Sequence, residues 1–185
     1  MKTITDSPIA LSEVSEHAYH QCILQATLAQ IEQASVWYHE AQEVAEDVAE
    51  NLGVSLEVGA SIVAAFSPRE RWSSNVAKSL AFSMGKPVAG LSNNLAMANN
   101  SLTMGFDALN GQKTNAFARA IAGDSDAVVI DVWMIRAAHL DASKGVNKTQ
   151  YNTLVDSVRT IAKEFGLTPR TAQALIWIVK RGSAE

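Results

Sequence analysis

The sequence predicts an all-α fold, and three observations predict it. Apolar residues recur at three- and four-residue steps along most of the 185 residues, as they do where helices bury one face. The periodic stretches are punctuated by helix stops at Gly53, Gly85, Gly123 and Gly166 and by starts at Ser67-Pro68 and Thr168-Pro169. The only strand candidate, residues 127–130, is too short and too isolated to build a sheet. At this length, with 48% apolar residues, the chain is expected to form a single domain over residues 1–185.

Taken in order, residues 9–33 read as a helix, and 34–52 continue helically through Trp37, Ala41, Val44, Ala45 and Val48 to a stop at Gly53. Residues 56–66 are rich in Ala and Val and are assigned as a buried helix from their helical neighbours. Ser67 is the expected N-cap of the next helix, with Pro68 at its first position and Glu70 in its first turn. That helix carries Trp72, Val76, Leu80 and Phe82 inward, with Arg69, Arg71, Asn75 and Lys78 on its solvated face or at its mouth. In the Asn-rich residues 86–105, Leu91, Leu95, Met97, Leu102 and Met104 are spaced for a short amphipathic helix. Residues 148–165 form another helix, closed by Gly166. The last helix starts with Thr168 as N-cap and Pro169 at its first position, and it ends at Gly182.

Composition excludes several classes. No apolar run approaches the roughly 20 residues needed to span a bilayer, and the N-terminus lacks the regions of a secretory signal. A single cysteine, Cys22, cannot close an internal disulfide or supply a four-cysteine metal site. His17 and His20 lie one turn apart, but no carboxylate–histidine pattern completes a metal site, so a surface pair is expected. A cytoplasmic protein (host cytoplasm, if phage-encoded), monomeric and without metal or cofactor, is the expectation. Net charge is −4. Residues 1–60 carry ten acids and one base, whereas residues 61–185 carry fourteen bases and nine acids. Such a split accommodates either a polyanion-facing surface or an acidic solvated helix face.

Residues 109–140 hold the candidate chemistry. Gly111 precedes Lys113 at one helix start, and Asp131, eighteen positions on, sits as N-cap of another. Helix N-termini favour anions and lower the pKa of a nearby amine, and a neutral lysine is a nucleophile toward an electrophilic carbon such as a nucleotide C1′. A carboxylate opposite it would stabilise a cationic sugar.

The stretch Gly111-Gln112-Lys113-Thr114 … Val129-Ile130-Asp131-Val132-Trp133 resembles the helix-hairpin-helix DNA glycosylase superfamily. There a Gly-x-Lys-Thr/Val helix start supplies a Schiff-base lysine, and a Val-Asp-x-His segment supplies the aspartate. Phe66-Ser67-Pro68-Arg69 resembles the family's Leu-Ser-x-Gln helix start, whose residues reach the DNA or the base pocket. A group of phage-encoded proteins with a Ser-Pro-Arg-x-x-Trp element is similar as well. The chain departs from the family where Asp107-Ala108-Leu109-Asn110-Gly111 replaces a Leu-Pro-Gly-Val-Gly hairpin and where Trp133 replaces the histidine.

The resemblance implies two helical lobes around a cleft, with a lobe of about residues 61–123 inserted between 1–60 and 124–185. It also implies a DNA partner and base flipping, with Lys113 attacking C1′ and Asp131 stabilising the charge. Arg69, Gly111, Gln112, Thr114, Trp72, Trp133 and Arg136 are the substrate- or DNA-binding candidates. Trp72 and Trp133 have the rings to stack on a flipped base, yet each also fits a core stripe. Arg136, one turn after Asp131, can reach that carboxylate or a phosphate. The alternatives are a non-catalytic helical protein that binds DNA or protein, and an enzyme of phage DNA hypermodification.

Overall fold

The computed structural model describes residues 8–90 and 92–182, and every regular element among them is helical. The helices are α1 (Pro8–Leu24), α2 (Leu28–Leu52), α3 (Leu56–Phe66), α4 (Trp72–Ser83), α5 (Ser92–Met104), α6 (Gln112–Ile121), α7 (Val132–Ala137), α8 (Lys148–Glu164) and α9 (Pro169–Arg181). Short 3-10 segments cover Gly105–Ala108 and Ala142–Lys144. No single described helix is long and apolar enough to cross a membrane.

The unbroken run expected over 9–52 is instead two helices, interrupted at residues 25–27. Gln30 N–H donates to Thr27 Oγ1 (3.3 Å) and Thr27 N–H to Gln30 Oε1 (3.0 Å). This is a reciprocal capping box, Thr-x-x-Gln, and it restarts the helix even though the apolar periodicity runs on.

The chain divides into two compact units, one running up to Trp37 and resuming at Ser125, the other spanning Tyr38–Asp124. The boundary falls within α2 rather than near residue 61, because Ala45 and Ala49 of α2 pack directly against Gly59 of α3. In the first unit α8 packs on α1 and α9, and α7 packs on α9 and α1. Its core holds Leu11, Tyr19, Met134, Leu154, Val158 and Ile176. Thr168 caps α9, as expected, with Pro169 in its first turn, and Asn147 and Gln150 cap α8 reciprocally. Residues 127–130 are not a strand. They are buried without regular structure ahead of α7, and the Tyr151 hydroxyl accepts from Ile130 N–H and donates to the Val128 carbonyl, each at 3.4 Å.

The second unit is organised on α3, against which α4, α5 and α6 all pack. Every α3 residue from Gly59 to Phe66 is buried. A Cβ on Gly59 would stand 2.2 Å from the Ala45 carbonyl oxygen, so only glycine allows the two helix backbones to meet there.

Two expected helices differ in detail. Ser67 does not start α4. It is the C-cap of α3, and its hydroxyl donates to the Ala64 carbonyl at 2.8 Å. Pro68 and Arg69 then form a turn, and α4 begins at Trp72 with Arg71 as an N-cap that makes no side-chain bond. Asn75, assigned to the solvated face, is buried in α4 with Ser79 and Ser83. In α5 the buried line is Asn94, Ala98 and Ser101, whereas Leu95, Leu102 and Met104 are exposed. Leu91 lies outside the described residues.

Candidate functional site

Asp131 sits, as expected, at the N-cap of α7, where the first backbone N–H groups of a helix need acceptors. Its Oδ1 accepts from Trp133 N–H (2.8 Å) and Met134 N–H (3.0 Å). Its Oδ2 accepts from the indole Nε1–H of Trp177 in α9, at 3.0 Å. A carboxylate offers about four acceptor positions, so these three donors leave one open on Oδ2. The side chain is half-buried, so its negative charge is held in one place while remaining reachable.

The same unit holds two indoles that each carry an arginine. The Trp177 ring stacks on Trp37 (5.6 Å between centroids, 25° between planes) and carries the Arg181 guanidinium at 4.8 Å. Trp133 carries the Arg136 guanidinium at 4.6 Å. Arg136 therefore lies over an indole and not on the Asp131 carboxylate, which is taken by Trp177 instead. Behind the carboxylate, Tyr19 donates to the Met134 carbonyl at 3.2 Å. Burial raises the Tyr19 phenol well above its ordinary range, with smaller contributions from Cys22 and Asp131. Burial also raises Tyr151, opposed by the bond from Ile130 and aided by the Asp131 charge. Both phenols therefore stay protonated and act as donors to backbone.

Lys113 belongs to the second unit, at the second position of α6, and is half-buried. Gly111 is the N-cap and supplies no side-chain bond. Its φ of −105° is open to any residue, and a Cβ there would meet only Thr114 Oγ1, at 3.7 Å. The glycine is therefore not required by the local chain. Gln112 is exposed and Thr114 buried. The segment ahead of Lys113 is braced by side chains. Glu57 Oε1 accepts from Phe106 N–H (3.2 Å), Asn115 donates to the Phe106 carbonyl (2.9 Å), and Arg119 lies over the Phe106 ring at 4.6 Å while bonding Asn115. Asn115 is thus part of the brace.

Arg69 is exposed, with a φ of +64° in the turn between α3 and α4. Beside it Glu70 accepts from Ser74 at 2.8 Å and pairs with Lys78. The Lys78 ammonium, with the Ser74 hydroxyl, holds the Glu70 carboxyl below its usual range. Phe66, Val88, Asn94 and this ion pair line a shallow recess. Trp72 is half-exposed at the start of α4.

Over residues 2–184 the sequence matches the profile of DUF7178, a family of unknown function. The chain belongs to DUF7178. No curated protein and no solved structure matches it.

In this DUF7178 chain the first unit gathers Asp131, Trp133 and Arg136, whereas Lys113, Gly111, Gln112, Thr114, Arg69 and Trp72 lie in the second. Sequence reasoning missed Trp177, which the helical pattern of α9 assigns to the core. It is 46 positions from Asp131. The one local signal was Arg181 a helical turn further on, the spacing at which a cation can cover an indole. Among the described residues, no three His, Cys, Asp or Glu side chains gather as a metal-binding group.

Proposed function

We propose that this DUF7178 chain is a DNA base-processing enzyme of the glycosylase type, with helical lobes around a substrate cleft. The observation that carries the reading is the half-exposed Asp131 carboxylate, oriented by three N–H donors, one of them the indole of Trp177, which carries Arg181. Fixed negative charge of this kind is suited to a sugar that becomes cationic as its base departs, because the group need not reorganise during the reaction. Arg136 and Arg181 suit contacts to phosphate, and Trp133 suits a base drawn out of the stack. In this reading the Lys113 nitrogen bonds to C1′ as the glycosidic bond breaks. The base leaves with the electron pair of that bond and takes up a proton. Loss of the amine proton with opening of the sugar ring then gives an imine, from which β-elimination can cleave the strand.

Borohydride reduction tests this directly, using DNA that carries oxidised, alkylated or hypermodified bases. A covalent protein–DNA adduct is expected from the wild-type chain and none from Lys113→Gln. Asp131→Asn is expected to lower the rate by roughly a hundredfold or more. Base release that persists in Lys113→Gln would remove the lysine from the mechanism and leave Asp131 acting with water.

A second reading, a non-catalytic helical protein that binds a protein partner, draws support from Leu95, Leu102 and Met104 on α5 and Met84 in the turn after α4, all exposed. It predicts no adduct and no base release on any of these substrates.

A further inference from the structure

Oδ1 of Asp131 is committed to the backbone of α7, but that alone does not orient the carboxylate. The terminal torsion of an aspartate is broad and roughly two-fold, so a group held only by Oδ1 can sweep Oδ2 through a wide arc. In this chain Oδ2 is caught by the Trp177 indole N–H at 3.0 Å. The indole is itself fixed. One contact is the Trp37 ring, which is buried, and another is the Arg181 guanidinium. We propose that Trp177 is a positioning residue for Asp131: its indole N–H sets the carboxylate torsion and so decides where the last open acceptor position of Oδ2 points.

The arrangement has three parts with separate jobs. The α7 backbone anchors Oδ1, Trp177 sets the rotation, and the Trp37–Trp177–Arg181 stack stops the indole from turning with it. A phenylalanine at 177 would keep most of the stacking surface and lose only the donor. The functional consequence of the positioning rests on the base-processing reading above, but the positioning itself does not.

The experiment therefore has two readouts on the full chain. In 1H–15N spectra, Asp131→Ala is expected to move the Trp177 indole N–H upfield and to speed its exchange with solvent, leaving the indoles of Trp37 and Trp72 in place. An unmoved Trp177 indole in that variant overturns the proposal, whatever the protein's activity. On a substrate that the wild type processes, Trp177→Phe is expected to lower kcat roughly ten- to a hundredfold with KM unchanged, as for a misplaced catalytic group. Trp177→His, which keeps a ring N–H, is expected to recover part of that loss. A fall in kcat that only tracks a lowered melting temperature, or a histidine variant no better than phenylalanine, would make Trp177 a packing residue. If the indole responds but the wild type processes no substrate, the positioning stands and the base-processing reading fails.

Discussion

In the first unit α8 turns Tyr151, Leu154, Val158 and Ile161 inward, whereas in the second α4 and α5 turn Asn75, Ser79, Ser83, Asn94, Ala98 and Ser101 inward. The turn after α4 leaves Met84 exposed, and α5 leaves Leu95, Leu102 and Met104 exposed. The first unit is held by apolar area removed from water. In the second, α4 and α5 meet α3 through small residues, so dispersion attraction between closely packed atoms adds there to the burial of Ile62, Val63 and Phe66. Buried serines are tolerated because each hydroxyl bonds within its own helix: Ser79 to the Asn75 carbonyl, Ser101 to Met97, Ser61 to Glu57. A serine satisfied in this way packs like a small apolar residue. Among the described residues no buried side-chain nitrogen or oxygen is left without a hydrogen bond.

If this contrast is right, each unit should fail under the opposite kind of substitution. The largest effect is expected from Leu154→Ala, which empties a fully buried site in the first unit and should cost about 3–4 kcal/mol in urea unfolding. A loss under 1 kcal/mol would mean that the site collapses freely and the apolar stripe is not what holds α8. Gly59→Ala adds one carbon where α2 and α3 touch and should cost about 2–3 kcal/mol, because the obstacle is a backbone oxygen that cannot rotate away.

The sharpest comparison is between adjacent positions in α5. Ser101→Leu should cost about 2 kcal/mol by overpacking, whereas Leu102→Ser should change stability by less than about 0.5 kcal/mol. Equal costs would show that the helix turns a different face to α3.

The smallest effect concerns pH. Glu70 is held below its usual range when folded, so its contribution to stability is complete above the unfolded value of about 4.3. That contribution is lost as pH falls through the lower folded value. Lys78→Met should therefore flatten the decline of Tm below about pH 4.3, measured by thermal melts on the acid side. An unchanged slope would show the ion pair to be without consequence.

The helical class and most helix ends were legible because caps are local chemistry. Thr168-Pro169, Gly53 and Gly166 act through groups two to four residues away, so the text of the chain contains both partners. The Thr27–Gln30 box was equally local and was obscured only by an apolar period that runs across it. Ser67 shows where local signals conflict. Ser-Pro reads as a helix start, yet the hydroxyl turned back to Ala64 and closed the helix before it. The burial of α4 and α5 was not legible, because hydropathy scores a serine by its hydroxyl and takes no account of a bond inside the helix.

At Asp131 the same division holds. The sequence alone determined that an aspartate would cap a helix after a buried apolar run, since the cap needs only the N–H groups of the next three residues. It also placed Trp133 and Arg136 close by, through the helical repeat. Only the tertiary structure decided what the other carboxylate oxygen does. The indole that takes it arrives from α9, 46 residues on, brought there by the packing of α7 against α9. A contact of that kind depends on where two helices come to rest, and no local period or cap encodes that distance.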